Sequence, residues 1–187
     1  MNKNRCPWAK APLDIEYHDN EWGRETHNDQ MLFEYLILEG MQAGLSWSII
    51  LKKRENFKRA FDNFDYNICA NYTDEYLESL RQDASIIRNK LKIYSVRKNA
   101  VAFLKVQKEF GSFDKYIWSF TDYKKINNEL ESYKDAQSES DLSIKISKDM
   151  KKRGFSFVGS TIIYSYMQAI GMINDHEKGC FCYEECC

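Results

Sequence analysis

Proline is nearly absent from this chain, and its absence sets what the chain can fold into. Both prolines, Pro7 and Pro12, lie close to the N-terminus. Everything after them is free of the residue that removes a backbone donor and breaks a helix. The apolar residues use that freedom at helical spacing. Met31, Leu32, Tyr35, Leu36 and Leu38 make a stripe from Asp29 to Glu39. After Ser46, a candidate N-cap, a second stripe runs through Trp47, Ile50, Leu51, Phe57 and Phe61. Between them lies Gly40-Met41-Gln42-Ala43-Gly44-Leu45, which reads as a loop with two glycines.

Further helices follow the same logic. Thr73 caps a short one carrying Tyr76, Leu77 and Leu80, and Leu91 to Phe110 is a long amphipathic one closed by Gly111. Ser112 begins an aromatic-rich helix from Phe113 to Phe120. Residues 121–141 are polar and acidic and read as a variable surface excursion. Ser140 starts the helix ending at Gly154, and Ser160 the one ending near Gly171. No alternating pattern, internal repeat or low-complexity run appears, so the fold class is all-α.

Hydrophobic residues make up 43% of the 187 positions, enough to fill a core without disulfides. The length suits one unit, residues 1–187, or two small helical lobes on a continuous chain. Lys and Arg number 27 against 28 Asp and Glu, which excludes a generally basic nucleic-acid binder but allows a local basic face. The N-terminus lacks a signal-peptide stretch, and no later run is long enough to span a membrane, so a soluble, cytoplasmic protein with no membrane partner is expected.

In a reducing cytosol the six cysteines read as buried thiols or metal ligands. His176 lies four residues before Cys180, which places both on one face of a turn, and Cys6 and His18 form a second pair near the other end. Two thiolates and two imidazoles would suit structural zinc. Spacing alone equally allows a buried thiol, a hydrogen-bonded histidine and a surface tail, and Cys182 competes with Cys180 as a ligand. His27 reads as solvated.

Glu39 ends an apolar helix, and on residue type alone it faces water. Trp8, Tyr17, Trp22 and Trp47 flank that region in sequence and read singly as core. Basic residues recur at Lys52-Lys53-Arg54, at Arg88, Lys90 and Lys92, and at Lys151-Lys152-Arg153. The middle group opens the long helix, whose first N–H groups could hold a phosphate.

Taken together, several segments resemble the DNA-3-methyladenine glycosylase I family of the helix-hairpin-helix superfamily. They are Tyr17-His18-Asp19-Asn20-Glu21-Trp22-Gly23, Leu38-Glu39-Gly40 through Ala43-Gly44-Leu45-Ser46-Trp47, and Ile50 to Asn56. Asp83-Ala84 with Ile86-Ile87-Arg88, Lys151 to Phe155 with Phe157-Val158-Gly159, and Asn174-Asp175-His176 complete the set. The resemblance runs from Cys6 to about Tyr183 and weakens at 121–141.

It implies a helix-hairpin-helix glycosylase fold with a pocket between helical lobes. It also implies a structural Zn2+ held by Cys6, His18, His176 and Cys180, which ties the chain ends together. Glu39 falls on the family's pocket carboxylate, Tyr17, Trp47 and Trp8 on its aromatic walls, and Leu45 on the residue inserted into the duplex. Arg88 and Lys90 then face DNA. Two departures stand out: Ser85 where the hairpin commonly has glycine, and Asp14 where an aromatic is common. The end Cys182-Tyr183-Glu184-Glu185-Cys186-Cys187 goes beyond the ligand pattern.

The implied activity is hydrolysis of the N-glycosidic bond of 3-methyladenine in double-stranded DNA, by a monomer that leaves an abasic site. Rival readings are a non-enzymatic damage-binding module and a glycosylase for 3-methylguanine or 7-methylguanine. A metal-dependent hydrolase fits less well, since four protein ligands would close the zinc shell.

Overall fold

The computed structural model describes residues 3–187. Nine α-helices are present there: α1 (Pro12–Asn20), α2 (Asp29–Gln42), α3 (Trp47–Ala60), α4 (Tyr66–Cys69), α5 (Asp74–Leu80), α6 (Lys90–Phe110), α7 (Phe113–Trp118), α8 (Asp141–Lys152) and α9 (Ser160–Ala169). The all-α expectation needs one amendment. Two short parallel strands, β1 (Ile126–Asn127) and β2 (Ile173–Asn174), pair Ile126 with Ile173 and Asn127 with Asn174.

Local chemistry explains where most helices begin. Side chains of Asn28, Asp65, Thr73, Asn89, Ser112 and Ser140 each accept from backbone N–H groups in the first turn that follows, satisfying donors the helix itself leaves open. Ser140 and Ser143 make a reciprocal capping box. Ser46 occupies its N-cap position in extended geometry without a side-chain bond. Gly159, not Ser160, caps α9.

The apparent loop 40–45 is shorter than its two glycines suggest. Gly40 lies inside α2, where a Cβ would stand 3.2 Å from Cβ of Phe157. Its role is close packing. Gly44 differs: it has φ +76° in open space, so conformation alone demands glycine there.

Helix α2 is the central element. Leu32, Phe33, Leu36 and Leu38 are fully buried, and the helix packs against α3, α6, α7 and α9. Phe103 of α6 stacks on Phe113 of α7 at 4.1 Å and meets Phe33 edge-on at 5.1 Å. The buried apolar side chains form one continuous cluster. Glu39 therefore leaves the end of a helix whose position is fixed from several sides. Among the described residues no helix is long and apolar enough to cross a membrane.

Candidate active site

Glu39 does not face water. It is 4% exposed and opens onto a cavity of about 170 Å³. That volume lies below the roughly 300–1,000 Å³ of pockets for drug-sized ligands, and it suits one flat heterocycle. Trp8, Tyr17, Trp22 and Trp47 form aromatic walls, with Tyr17 and Trp47 centroids 5.1 Å apart and Trp8 edge-on to Trp22 at 5.0 Å. Gln42, Tyr133, Ser165 and Gln168 complete the lining.

Six buried side-chain nitrogens and oxygens among the described residues lack a hydrogen-bond partner, and four border this cavity: Trp8 Nε1, Tyr17 Oη, Glu39 Oε2 and Trp47 Nε1. An unsatisfied buried polar atom costs about 1–3 kcal/mol. Four around one hole make a site built for a polar partner. Burial pushes the Glu39 carboxyl up to about 8. Burial also raises the Tyr17 phenol, with Glu39 adding to it. An arriving cation would reverse the penalty on Glu39 and favour its ionised form.

Behind the Trp8 and Trp22 wall lies a second cluster. One ligand atom each from His18, His176, Cys180 and Cys182 lie within 4.8 Å of one another, all four residues buried. His18 Nδ1 pairs with Asp19 Oδ1 at 2.9 Å and His176 Nδ1 with Asn174 Oδ1 at 3.0 Å. His176 thereby keeps Nε2 for binding, while His18 Nε2 accepts a long bond from the Cys6 backbone N–H at 3.4 Å. His176 Nε2 is buried without a partner, and His18 Nε2 faces Cys180 Sγ at 3.4 Å. Nitrogen and sulfur donors with oriented histidines fit a tetrahedral zinc ion.

Cys6 lies outside the group of four but is buried, and the neighbouring Cys180 sulfur and burial push its thiol up. The neighbouring Cys6 and His18 hold the Cys180 thiol well below its ordinary range. Burial lowers His176 to about 4, keeping its imidazole neutral. Gly23 is needed beside this cluster, since a Cβ would meet His176 Cε1 at 2.7 Å. His27 stays apart, exposed and bonded to Asp114 at 2.7 Å.

On the flank of Glu39, Leu45 is 36% exposed at the tip of the short α2–α3 loop. Arg88 and Lys90 are exposed where α6 begins, and Lys90 pairs loosely with Glu78 at 3.6 Å. The basic run on α3 has other tasks. Arg54 is tied to Glu21 and Glu34, and Lys53 donates to the Ser85 carbonyl at 2.8 Å. Ser85 needs no left-handed backbone, and its N–H donates to Asp83 Oδ1 at 2.8 Å, so the turn closes without glycine. Asp14 is outside the cavity lining and accepts both its bonds from Ser48, at 2.8 and 2.9 Å.

Residues 8–183 match the methyladenine glycosylase family. The chain belongs to that family. It is 44% identical over 180 residues to DNA-3-methyladenine glycosylase 1 of Escherichia coli K12, covering 96% of each. Identity to the DNA-3-methyladenine glycosylase of Haemophilus influenzae is 40%, over 95% and 97% of the two chains. A crystal structure of 3-methyladenine DNA glycosylase I superposes with a TM-score of 0.94 at 44% identity, covering 96% of this chain and all of that one. The Staphylococcus aureus enzyme, solved to explain its recognition of 3-methyladenine, gives 0.92 at 32% identity and 97% of each chain.

Within this methyladenine glycosylase chain, four lining residues carried no sequence signal strong enough to single them out. Gln42 belonged to an apparent loop. Ser165 and Gln168 share a face of α9 at i,i+3, a polar pair in an apolar helix that could have marked a wall. Tyr133 comes from the polar excursion 121–141, which periodicity cannot resolve. Its N–H donates to Glu177 at 2.7 Å, placing its ring against the cavity.

Proposed function

We propose that this protein is a DNA-3-methyladenine glycosylase I of base-excision repair, acting as one unit over residues 1–187 on double-stranded DNA in the bacterial cytoplasm, as a monomer. The observation that carries this reading is the cavity of aromatic faces with four unpartnered polar atoms, Glu39 Oε2 among them. Methylation at N3 gives adenine a positive charge. Each aromatic face then favours the cation over a neutral ring by roughly 0.5–2 kcal/mol.

The α5–turn–α6 unit serves as the helix-hairpin-helix, with Arg88, Lys90 and the first N–H groups of α6 gripping phosphate. Leu45 fills the gap left when the nucleotide is extruded. Glu39 accepts a hydrogen bond from the exocyclic amine, and its charge stabilises the sugar as oxocarbenium character develops. The C1′–N9 bond breaks with its electron pair staying on N9, which neutralises the ring. Water adds at C1′ and loses its proton, leaving an abasic site. No lysine lines the cavity, in keeping with a monofunctional glycosylase that hydrolyses the base without a Schiff base.

His18, His176 and Cys180, with Cys6 or Cys182 as the remaining thiolate, would hold a zinc ion. A bound zinc supplies cross-linking of the two chain ends, and four protein ligands give it a closed shell. Glu39 and the aromatic walls carry the reaction.

The test offers the protein duplexes carrying 3-methyladenine, 3-methylguanine or 7-methylguanine and follows free bases by chromatography. Release confined to 3-methyladenine is expected. Tight lesion binding with no base released would identify a damage-binding module instead.

A further inference from the structure

Lys92 is the one basic side chain of α6 that turns inward. It is only 6% exposed, and burial without a carboxylate partner lowers its pKa. Its ammonium donates to the carbonyls of Met41 at 2.8 Å and Ala43 at 2.6 Å. These oxygens belong to the end of α2 and the loop leading to Leu45, where a helix leaves its last carbonyls open and its dipole favours a cation. α2 has no basic residue in its last turn. Among the described residues no other side chain donates to the backbone of residues 40–45.

The tie is reciprocal. From α3, on the far side of the loop, Lys53 donates to the carbonyls of Ser85 at 2.8 Å and Ala84 at 3.3 Å, and Asn56 donates to Ser85 at 3.0 Å. The turn before α6 is thus held by α3, and the loop before α3 is held by α6. Lys92 takes part at both levels, since its own backbone N–H is the donor that the Asn89 cap receives, at 3.1 Å.

We propose that Lys92 is a positioning residue that fixes the Gly44–Leu45 tip to the start of α6, so that docking of that helix on phosphate delivers Leu45 to the duplex already in its inserting geometry. The proposal rests on the glycosylase reading. Lys92 itself touches neither base nor sugar, and it is absent from the cavity lining. It acts by removing the freedom of a short glycine-containing loop before DNA arrives, a preorganisation whose loss lowers the rate of extrusion and leaves the base pocket intact.

The experiment compares Lys92→Met, Lys92→Gln and the wild type, each in the Leu45 and the Leu45→Ala backgrounds. It uses single-turnover release of 3-methyladenine from a defined duplex and binding of free 3-methyladenine followed by tryptophan fluorescence. Lys92→Met is expected to slow release about tenfold while free-base affinity stays within about twofold of wild type. Lys92→Gln, which keeps a donor for the carbonyls, should recover part of the rate. In the Leu45→Ala background Lys92→Met should change release by less than about twofold, because the two residues act on one step.

Equal losses in both backgrounds, or unchanged release in Lys92→Met, would overturn the proposal. Lost free-base binding in both Lys92 variants would also overturn it, showing a general structural role. A wild type that releases no base would instead overturn the glycosylase reading, and would do so before any variant is compared.

Discussion

Glu39 holds its place at a cost, and the cost has a pH signature. Its carboxyl stands at about 8 in the folded protein, against 4.5 for an ordinary glutamate. Between those values the folded chain keeps a proton that the unfolded chain releases. The stability tied to that proton is complete below about pH 4.5 and is lost as pH rises through 8. Glu39→Gln should therefore melt near the wild type at pH 5 and clearly above it at pH 9. Parallel melting curves at both values would contradict the buried carboxyl. Tyr17 makes a related case, because its hydroxyl is buried without a partner. Tyr17→Phe should raise stability by about 1 kcal/mol in urea unfolding while weakening binding of free 3-methyladenine. Destabilisation would mean that the hydroxyl is satisfied within the protein.

At the scale of elements, the start of α6 carries its cap, its tie to the loop and the end proposed to grip phosphate. Asn89→Ala removes the side chain that accepts from Lys92 N–H. A loss of about 1 kcal/mol is expected in denaturant unfolding. Duplex affinity should fall with it, while free-base binding holds. Unchanged duplex affinity would detach the helix end from DNA.

Elements with long apolar periodicity were legible in the sequence. The stripe Met31 to Leu38 gave α2, and Thr73, Ser112 and Ser140 marked helix starts that the structure retains. Helix α1 carried no such stripe, because it buries Asp14, Tyr17 and His18 rather than an aliphatic face. The strands are two residues each and too short for an alternation to register. Glu39 misled on residue type alone, because a helix end and a pocket wall look alike until α9 and the Trp8 segment close over it. Only the longer motif resemblance placed it in a pocket.

For the molecule as a whole, the issue is how the ends are secured. Phe181 N–H donates to Asn4 carbonyl at 3.0 Å, and the His–Cys cluster joins α1 to the last residues. Trp8 and Trp22 pack between that cluster and the cavity, Trp8 at 5.3 Å from His18 and Trp22 at 4.6 Å from His176 by ring centroids. Stripping metal with a chelator should lower the melting temperature and weaken free-base binding together, with zinc measured per chain. His176→Ala should lose the metal outright. Comparing Cys6→Ser with Cys182→Ser identifies the remaining thiolate by which variant loses zinc. Full metal retention in His176→Ala would rule out the cluster as the site.

On the proposed function, Glu39 and its aromatic cavity excise a cationic purine. The direct measurement gives methylated duplex DNA to the wild type and to Glu39→Gln and separates the free bases by chromatography, with binding to undamaged duplex measured alongside. Release of 3-methyladenine by the wild type is expected. In the variant it should fall about 100-fold, as for removal of one group that stabilises developing charge, with duplex binding unchanged. Equal release by both proteins, or equal losses of release and of binding to undamaged duplex, would contradict the account.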